Sequence, residues 1–223
     1  MKHLISGIFL LLLVMSGTAN ADVYDVFQTL FRVELEHLKK TDGNSFVISR
    51  VRATAFPIRQ DKDYVWLLTA GHFTDKSEVT SVWLHKMHPR ESSKRIPVKV
   101  LFTEYDGQAN DMALLRVKRK DIGEVPILKL AKGNPKLKEV LMIAGCEGGR
   151  KPVVFMGQVT HSYKRWFKVA REFVRGISGG PVVDIAGEYI YGIAIQTDGT
   201  SVSNSNIRAI LAKHGYDWDK SVS

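Results

Sequence analysis

From Ser45 onward the chain is written in short apolar and β-branched runs separated by turn residues, and this punctuation constrains its fold more than any other feature. Phe46-Val47-Ile48, the run from Val51 to Phe56 and Tyr64-Val65-Trp66-Leu67-Leu68 come first, broken at Pro57 and across residues 59–63. Further runs follow at residues 79–84, 96–102, 112–117, 140–144, 153–159, 167–170, 181–184 and 189–196. Most are of strand length and short for a helix. Many short strands at regular spacing predict an all-β chain, either a sandwich or barrels. Helical spacing is read only at the two ends. Val26, Phe27, Leu30, Phe31, Val33, Leu35 and Leu38 predict an N-terminal helix over residues 24–40, stopped by Thr41-Asp42-Gly43-Asn44. Ile207, Ile210 and Leu211 predict a short C-terminal helix over residues 205–213.

Composition narrows the setting. With 223 residues, 44% of them hydrophobic, the chain can bury a sizeable core. Lys2 and His3 precede an apolar run over residues 4–15, and small residues lead to Ala19-Asn20-Ala21. That order is a secretory signal peptide over residues 1–21, too short in its apolar part to span a membrane comfortably. Cleavage is expected after Ala21, giving a secreted or periplasmic protein with no stable membrane insertion. The single cysteine, Cys146, closes an apolar run and reads as a buried thiol, so no intrachain disulfide is available and the core must hold the fold. The formal charge of +9 becomes +8 once Lys2 is lost (9 − 1). Its lysines and arginines are scattered, without the interleaved aromatics that stack bases, so no nucleic-acid partner is expected.

The stretch Arg175-Gly176-Ile177-Ser178-Gly179-Gly180-Pro181 carries the chemistry. A serine between glycines lets backbone N–H groups approach a reacting atom, as an oxyanion hole requires. A serine hydroxyl is a weak nucleophile, so a base must take its proton and a third group must orient the base. His72 ends Leu67-Leu68-Thr69-Ala70-Gly71-His72, where a hydrophobic strand delivers it to a turn. Asp111 heads the apolar run Met112-Ala113-Leu114-Leu115 and sits at the rim of a core. Each has a plainer role, as a surface histidine, a turn aspartate and a glycine-rich turn; all three in one chain are more informative. Gly176-Ile177-Ser178-Gly179-Gly180 also fits the G-x-S-x-G elbow of esterases. That elbow needs a helix after the serine, and here Pro181 and a β-branched run follow.

Thr69-Ala70-Gly71-His72 resembles the TAAHC-type motif of trypsin-like serine peptidases. Asp111-Met112-Ala113-Leu114-Leu115 resembles their D-[IL]-A-L-L motif, and Gly176-Ile177-Ser178-Gly179-Gly180-Pro181 their G-D-S-G-G-P motif. The order His, Asp, Ser is that of the chymotrypsin-like branch. Lacking cysteine pairs, the chain is most similar to the bacterial Deg/HtrA-like and glutamyl-endopeptidase-like branches, with no room after the serine for a PDZ domain. The resemblance implies two six-stranded antiparallel β-barrels with the site in the cleft between them. The expected organisation is a helical segment over residues 22–44, a first barrel over 45–120, and a second barrel with the C-terminal helix over 121–223. It implies a secreted serine endopeptidase acting on protein or peptide substrates, with His72, Asp111 and Ser178 catalytic, the Gly176 and Ser178 N–H groups as oxyanion hole, and no metal or cofactor. The alternative is a non-hydrolytic or partner-activated peptide-binding module on the same fold. Ile177 stands where the digestive branch has an acid, so no zymogen cleavage of that kind is expected. Glu172 falls where that family often has the base of the specificity pocket. Ile195, Gln196 and Thr197 fall on the strand that pairs with substrate. The β-branched Thr197 narrows the pocket, so small or medium aliphatic side chains are expected before the scissile bond, with basic ones as runner-up.

Overall fold

Two sheets, antiparallel except for the parallel edge strand Lys129–Leu130, divide the chain in the computed structural model, which describes residues 26–40, 46–75, 79–87 and 94–216. The signal peptide expected over residues 1–21 and its cleavage point lie outside the described residues. The first sheet is built from β1 (Phe31–Lys40), β2 (Phe46–Gln60), β3 (Tyr64–Thr69), β4 (Val79–Lys86), β5 (Ile96–Pro97), β6 (Lys99–Tyr105) and β7 (Asp111–Lys118), in the order β5-β4-β1-β2-β3-β7-β6. Its outermost strands, β5 and β6, are consecutive pieces of one stretch interrupted at Val98, so the sheet rolls back upon itself. The second sheet holds β8 (Lys129–Leu130), β9 (Val140–Glu147), β10 (Lys151–Ser162), β11 (Trp166–Val169), β12 (Pro181–Val183), β13 (Tyr189–Ala194) and β14 (Thr200–Ser203). Six of these, in the order β12-β9-β10-β11-β14-β13, close into a barrel through the pairing of β12 with β13. Besides a helical turn at residues 26–28, the described chain has two single-turn helices, α1 (Gly71–Thr74) and α2 (Arg119–Ile122), and a longer helix α3 (Asn204–Lys213).

The apolar runs lack polar alternation because many strands are buried on both faces. On β7, Leu115 and Val117 enter the interior of the first sheet with Val33, Leu35 and Leu67. Met112 and Leu114 face the other way, into a cluster shared with Met142, Ala144, Ile193 and Ile207 of the second sheet. On β9, Leu141 and Ile143 fill the second barrel with Phe167, Val169 and Ile177. The strands that carry the candidate residues are therefore pinned from two sides. Cys146 is fully buried, and burial pushes its thiol up to about 12, so it is a packing residue rather than a reactive one.

Two expectations are corrected. The helix expected over residues 24–40 is, beyond a helical turn at residues 26–28, strand β1, seated between β2 and β4. Phe31, Val33 and Leu35 are buried at a period of two, which the flanking Leu30 and Leu38 had disguised. The opposite face is polar yet buried at Glu34, which Arg52 and Arg95 neutralise. Burial would raise the Glu34 carboxyl, but the Arg52 hydrogen bond and charge hold it below its ordinary value. The break at Pro57 is also absent: β2 runs through it, and the missing N–H is absorbed by a shift of register between Pro57 and Arg59.

Helix α3 is capped by Ser203, whose side chain accepts from the Asn206 N–H. It locks the second sheet to the first. Asn206 Nδ2 donates to the Ala109 carbonyl at 2.8 Å, just before Asp111, while Lys213 Nζ and His214 Nε2 both donate to Glu104 Oε1 at 2.6 Å. Those bonds, from Lys213 first, hold the Glu104 carboxyl below the usual carboxylate range. A depressed acid contributes stability above its unfolded pKa and loses it as pH falls through the folded value. Melting temperatures between about pH 6 and about pH 3 are expected to fall more steeply for the wild type than for Glu104→Gln; equal slopes would contradict this.

Candidate active site

Strand β3 is buried to its end, so the chain leaves it at Ala70 with the next residue pressed against the neighbouring strands. Position 71 must be glycine: a Cβ there would strike the Glu104 carbonyl and lie 2.8 Å from the Met112 N. This close approach brings α1 against the start of β7. Asp111 Oδ1 accepts from the His72 backbone N–H at 2.8 Å, and Oδ2 accepts from Nδ1 at 2.7 Å. Asp111 is 3% exposed, while a third of the His72 side chain is open to solvent. The buried carboxylate thus fixes the ring and its tautomer and leaves Nε2 as an acceptor toward the cleft.

The serine loop docks on the same place from the other sheet. Thr54 of β2 donates its N–H to the Ser178 carbonyl at 2.9 Å. Gly179 lies so close to Thr69 and Ala70 that a Cβ would be 2.8 Å from the Ala70 N. The Ser178 backbone therefore rests against the residues that lead into His72. The hydroxyl itself is directed at the Ile195 carbonyl, 3.5 Å away, and among the described residues no hydrogen bond joins it to the His72 ring.

The loop also has a fixed backbone orientation. The Arg175 carbonyl accepts from the Gly148 N–H at 2.7 Å, and the Ile177 carbonyl accepts from the Gly180 N–H at 2.7 Å. In a trans peptide the N–H points opposite its carbonyl. Pinning these two carbonyls turns the Gly176 and Ser178 N–H groups the other way, and neither has an acceptor among the described residues. Gly176 needs its φ of 94°, and a Cβ there would strike the Cys146 carbonyl. Ile177 is fully buried in the second barrel.

Thr54 was not legible as a site residue. Fully buried, its hydroxyl donates to the Gly176 carbonyl at 2.8 Å and accepts from the Cys146 N–H at 2.8 Å, and its carbonyl accepts from Thr69 Oγ1 at 2.7 Å. It clamps the serine loop to both sheets. A threonine within an apolar strand gave no signal of this.

The expected substrate-binding residues are placed unevenly. Glu172 is exposed, while its neighbour Phe173 turns inward, 5% exposed. The physical reason is the cost of burying an unpaired carboxylate. Ile195 is buried, and Gln196 and Thr197 are exposed. The Thr197 carbonyl already accepts from the Phe173 N–H at 2.7 Å and the Gln196 carbonyl from the Gly199 N–H at 3.2 Å, so among the described residues only the Ile195 carbonyl of the three has no backbone donor, its one contact being the Ser178 hydroxyl at 3.5 Å. Beside Gln196 opens a cavity of about 760 Å³ between the sheets, lined by residues 107–109 and 163–166. Among the described residues no group of three or more His, Cys, Asp or Glu side chains is placed to hold a metal ion.

Two rolled antiparallel sheets with a serine loop, a histidine turn and a buried aspartate meeting between them define a trypsin-like architecture. The chain is similar to the inactive form of Rv3671c protease at 16% identity, covering 89% of this chain and 94% of that one, with a TM-score of 0.64. It is similar to the active form of Rv3671c protease from M. tuberculosis at 18% identity, covering 89% and 86%, with a TM-score of 0.64. The serine endoprotease from Yersinia pestis is similar at 14% identity, covering 88% and 66%, with a TM-score of 0.64. No curated protein matches the sequence. The model of the trypsin-like peptidase domain matches residues 53–193, most of the chain, which therefore belongs to the trypsin-like peptidase family, a serine peptidase by class.

Proposed function

We propose that the chain is an exported serine endopeptidase working through Ser178, His72 and Asp111. The observation that carries this is the two-point grip of buried Asp111 on His72 opposite a loop whose Gly176 and Ser178 N–H groups are turned free. Rotation of the Ser178 hydroxyl about χ1 takes it from the Ile195 carbonyl toward His72 Nε2. Nε2 accepts the proton as Oγ attacks the peptide carbonyl. The oxyanion is received by the Gly176 and Ser178 N–H groups. The imidazolium, stabilised by Asp111, then gives its proton to the leaving amine; water, activated the same way, releases the acid. Catalytic hydrogen bonds are often open in a free enzyme, so the serine rotamer is compatible with this role.

The substrate strand would place the N–H of the residue before the cut on the Ile195 carbonyl. With Glu172 outside and Phe173 inside, small or medium aliphatic side chains are preferred at that residue over Lys or Arg. Peptide-library digestion followed by mapping of the new termini tests this. Internal cuts after aliphatic residues are the expected result; trimming from the ends only, or cleavage strictly after Lys or Arg that Glu172→Gln abolishes, would contradict it. Export rests on the leader, and the intact mass of protein recovered outside the cytoplasm is expected to begin at Asp22; a mass starting at Met1 would contradict it. The contact of Ser178 with the Ile195 carbonyl favours one second reading, an enzyme or peptide-binding module engaged only when a partner turns that hydroxyl. Covalent labelling of the isolated chain separates the two.

A further inference from the structure

We infer that Arg32, on the N-terminal strand, is a positioning residue that holds the oxyanion peptide in its working orientation through the hairpin turn between β9 and β10. The inference rests on the peptidase reading above. Its chain of contacts is short. The turn has Gly148 and Gly149 at its centre, with φ of 55° and 67°, closed by the Arg150 N–H on the Glu147 carbonyl at 2.9 Å. Positive φ at both central positions is the hairpin turn that glycine supports best. Gly148 is exposed, yet its N–H is the group that accepts no role in the hairpin and instead donates to the Arg175 carbonyl at 2.7 Å. On the far side of the turn, Arg32 Nη1 donates to the Gly149 carbonyl at 3.0 Å. The turn is thus held between a guanidinium of the first sheet and the peptide whose N–H belongs to the oxyanion site.

Three further contacts make this a built support. Position 149 has no room for a side chain, because a Cβ would lie 2.5 Å from Arg52 Cδ and 2.8 Å from its Cβ. Arg52 is itself held by Glu34 at 2.9 Å, and Glu34 is bonded to Arg95 at 3.1 Å. Arg32 is paired across the ladder with Thr54, the residue that holds the next carbonyl of the loop, that of Gly176. Adjacent residues of β1 and β2 therefore secure the two successive carbonyls, Thr54 directly and Arg32 through the turn. If Arg32 lets go, the Gly148 N–H drifts from the Arg175 carbonyl and the Arg175 to Gly176 peptide is free to rotate. The Gly176 N–H then no longer meets the developing charge, whereas the ground-state substrate contact at the Ile195 carbonyl is untouched. Losing one oxyanion donor outright costs about 10²–10³ in kcat, and a loosened donor costs less than that.

The test uses Arg32→Met, which keeps the stem and removes the donors. The expected result is a cooperatively melting protein with kcat lowered by about 10- to 100-fold and KM changed by at most a few-fold. Affinity for a peptide boronate, which mimics the tetrahedral intermediate, is expected to weaken by the same factor as kcat/KM, with affinity for the product peptide unchanged. Added guanidinium ion is expected to recover part of the loss in Arg32→Ala. Unchanged boronate affinity in folded Arg32→Met overturns the inference, and so does a parallel loss of boronate and product affinity. If Arg32→Met does not fold, Arg32→Gln replaces it, a polar side chain too short to reach the Gly149 carbonyl, and wild-type boronate affinity there overturns the inference. Wild-type protein that neither cleaves peptides nor binds the boronate overturns the peptidase reading itself, a result distinct from equal activity in wild type and variant.

Discussion

Ser178→Ala is expected to lower kcat on a cleaved peptide by about five to six orders of magnitude with KM within a few-fold of wild type. On the proposed mechanism only the nucleophile is lost. The Ser178 carbonyl keeps its bond from the Thr54 N–H, and the Gly176 and Ser178 N–H groups keep their orientation through the Arg175 and Ile177 carbonyls. Substrate therefore binds as before, and the remaining donors leave a residual acceleration of about 10³–10⁴ over water. The hydroxyl makes one weak contact, to Ile195 at 3.5 Å, so its removal is expected to change stability by less than about 1 kcal/mol. Progress curves and a thermal melt measure both. Peptide hydrolysis at the wild-type rate would remove Ser178 from the chemistry.

Gly179→Ala leaves Ser178, His72 and Asp111 all in place and is nevertheless expected to destroy both fold and activity. Its φ of 85° is a conformation that side-chain-bearing residues rarely adopt. A Cβ would strike the Thr54 carbonyl, lie 2.5 Å from Thr69 Oγ1 and lie 2.8 Å from the Ala70 N. Those atoms belong to buried β2, β3 and the entry to α1, so none can retreat without moving the serine loop away from His72. The backbone strain and the displaced hydrogen bonds together are expected to cost about 3 kcal/mol or more. Gly133→Ala is the control: nothing lies within 4 Å of its Cβ, and a change within about 0.5 kcal/mol is expected. A Gly179→Ala protein with wild-type melting and turnover would contradict the close docking of the serine loop.

What was legible in the sequence had local chemical causes. The strand runs stood out because β3, β7 and β9 are buried on both faces, one toward a barrel interior and one toward the shared cluster between the sheets. His72 and Asp111 stood at the ends of such runs, where a strand meets the cleft, and a serine between glycines announces a backbone that must pack without Cβ atoms. What was not legible depended on partners distant in sequence. Strand β1 reads as a helix until its polar face is matched to Arg52 and Arg95, which turn Glu34 from an apparent surface residue into a buried one. The clamp by Thr54 involves Gly176 of the serine loop and Cys146 of β9, both about a hundred residues away in sequence. Glu172 and Phe173 are adjacent, and which of them turns inward is decided by desolvation and by the bond from the Phe173 N–H to the Thr197 carbonyl, not by local spacing.

Reaction with a fluorophosphonate tests the central claim most directly, because only a serine activated by its base and facing an oxyanion hole attacks that phosphorus at a useful rate. The isolated chain is expected to gain one adduct, located by peptide mass mapping on Ser178, with none in Ser178→Ala and a greatly slowed reaction in His72→Ala. A folded wild-type protein that remains unlabelled, or that carries the adduct on another residue, would contradict the assignment of Ser178, His72 and Asp111 as the catalytic group.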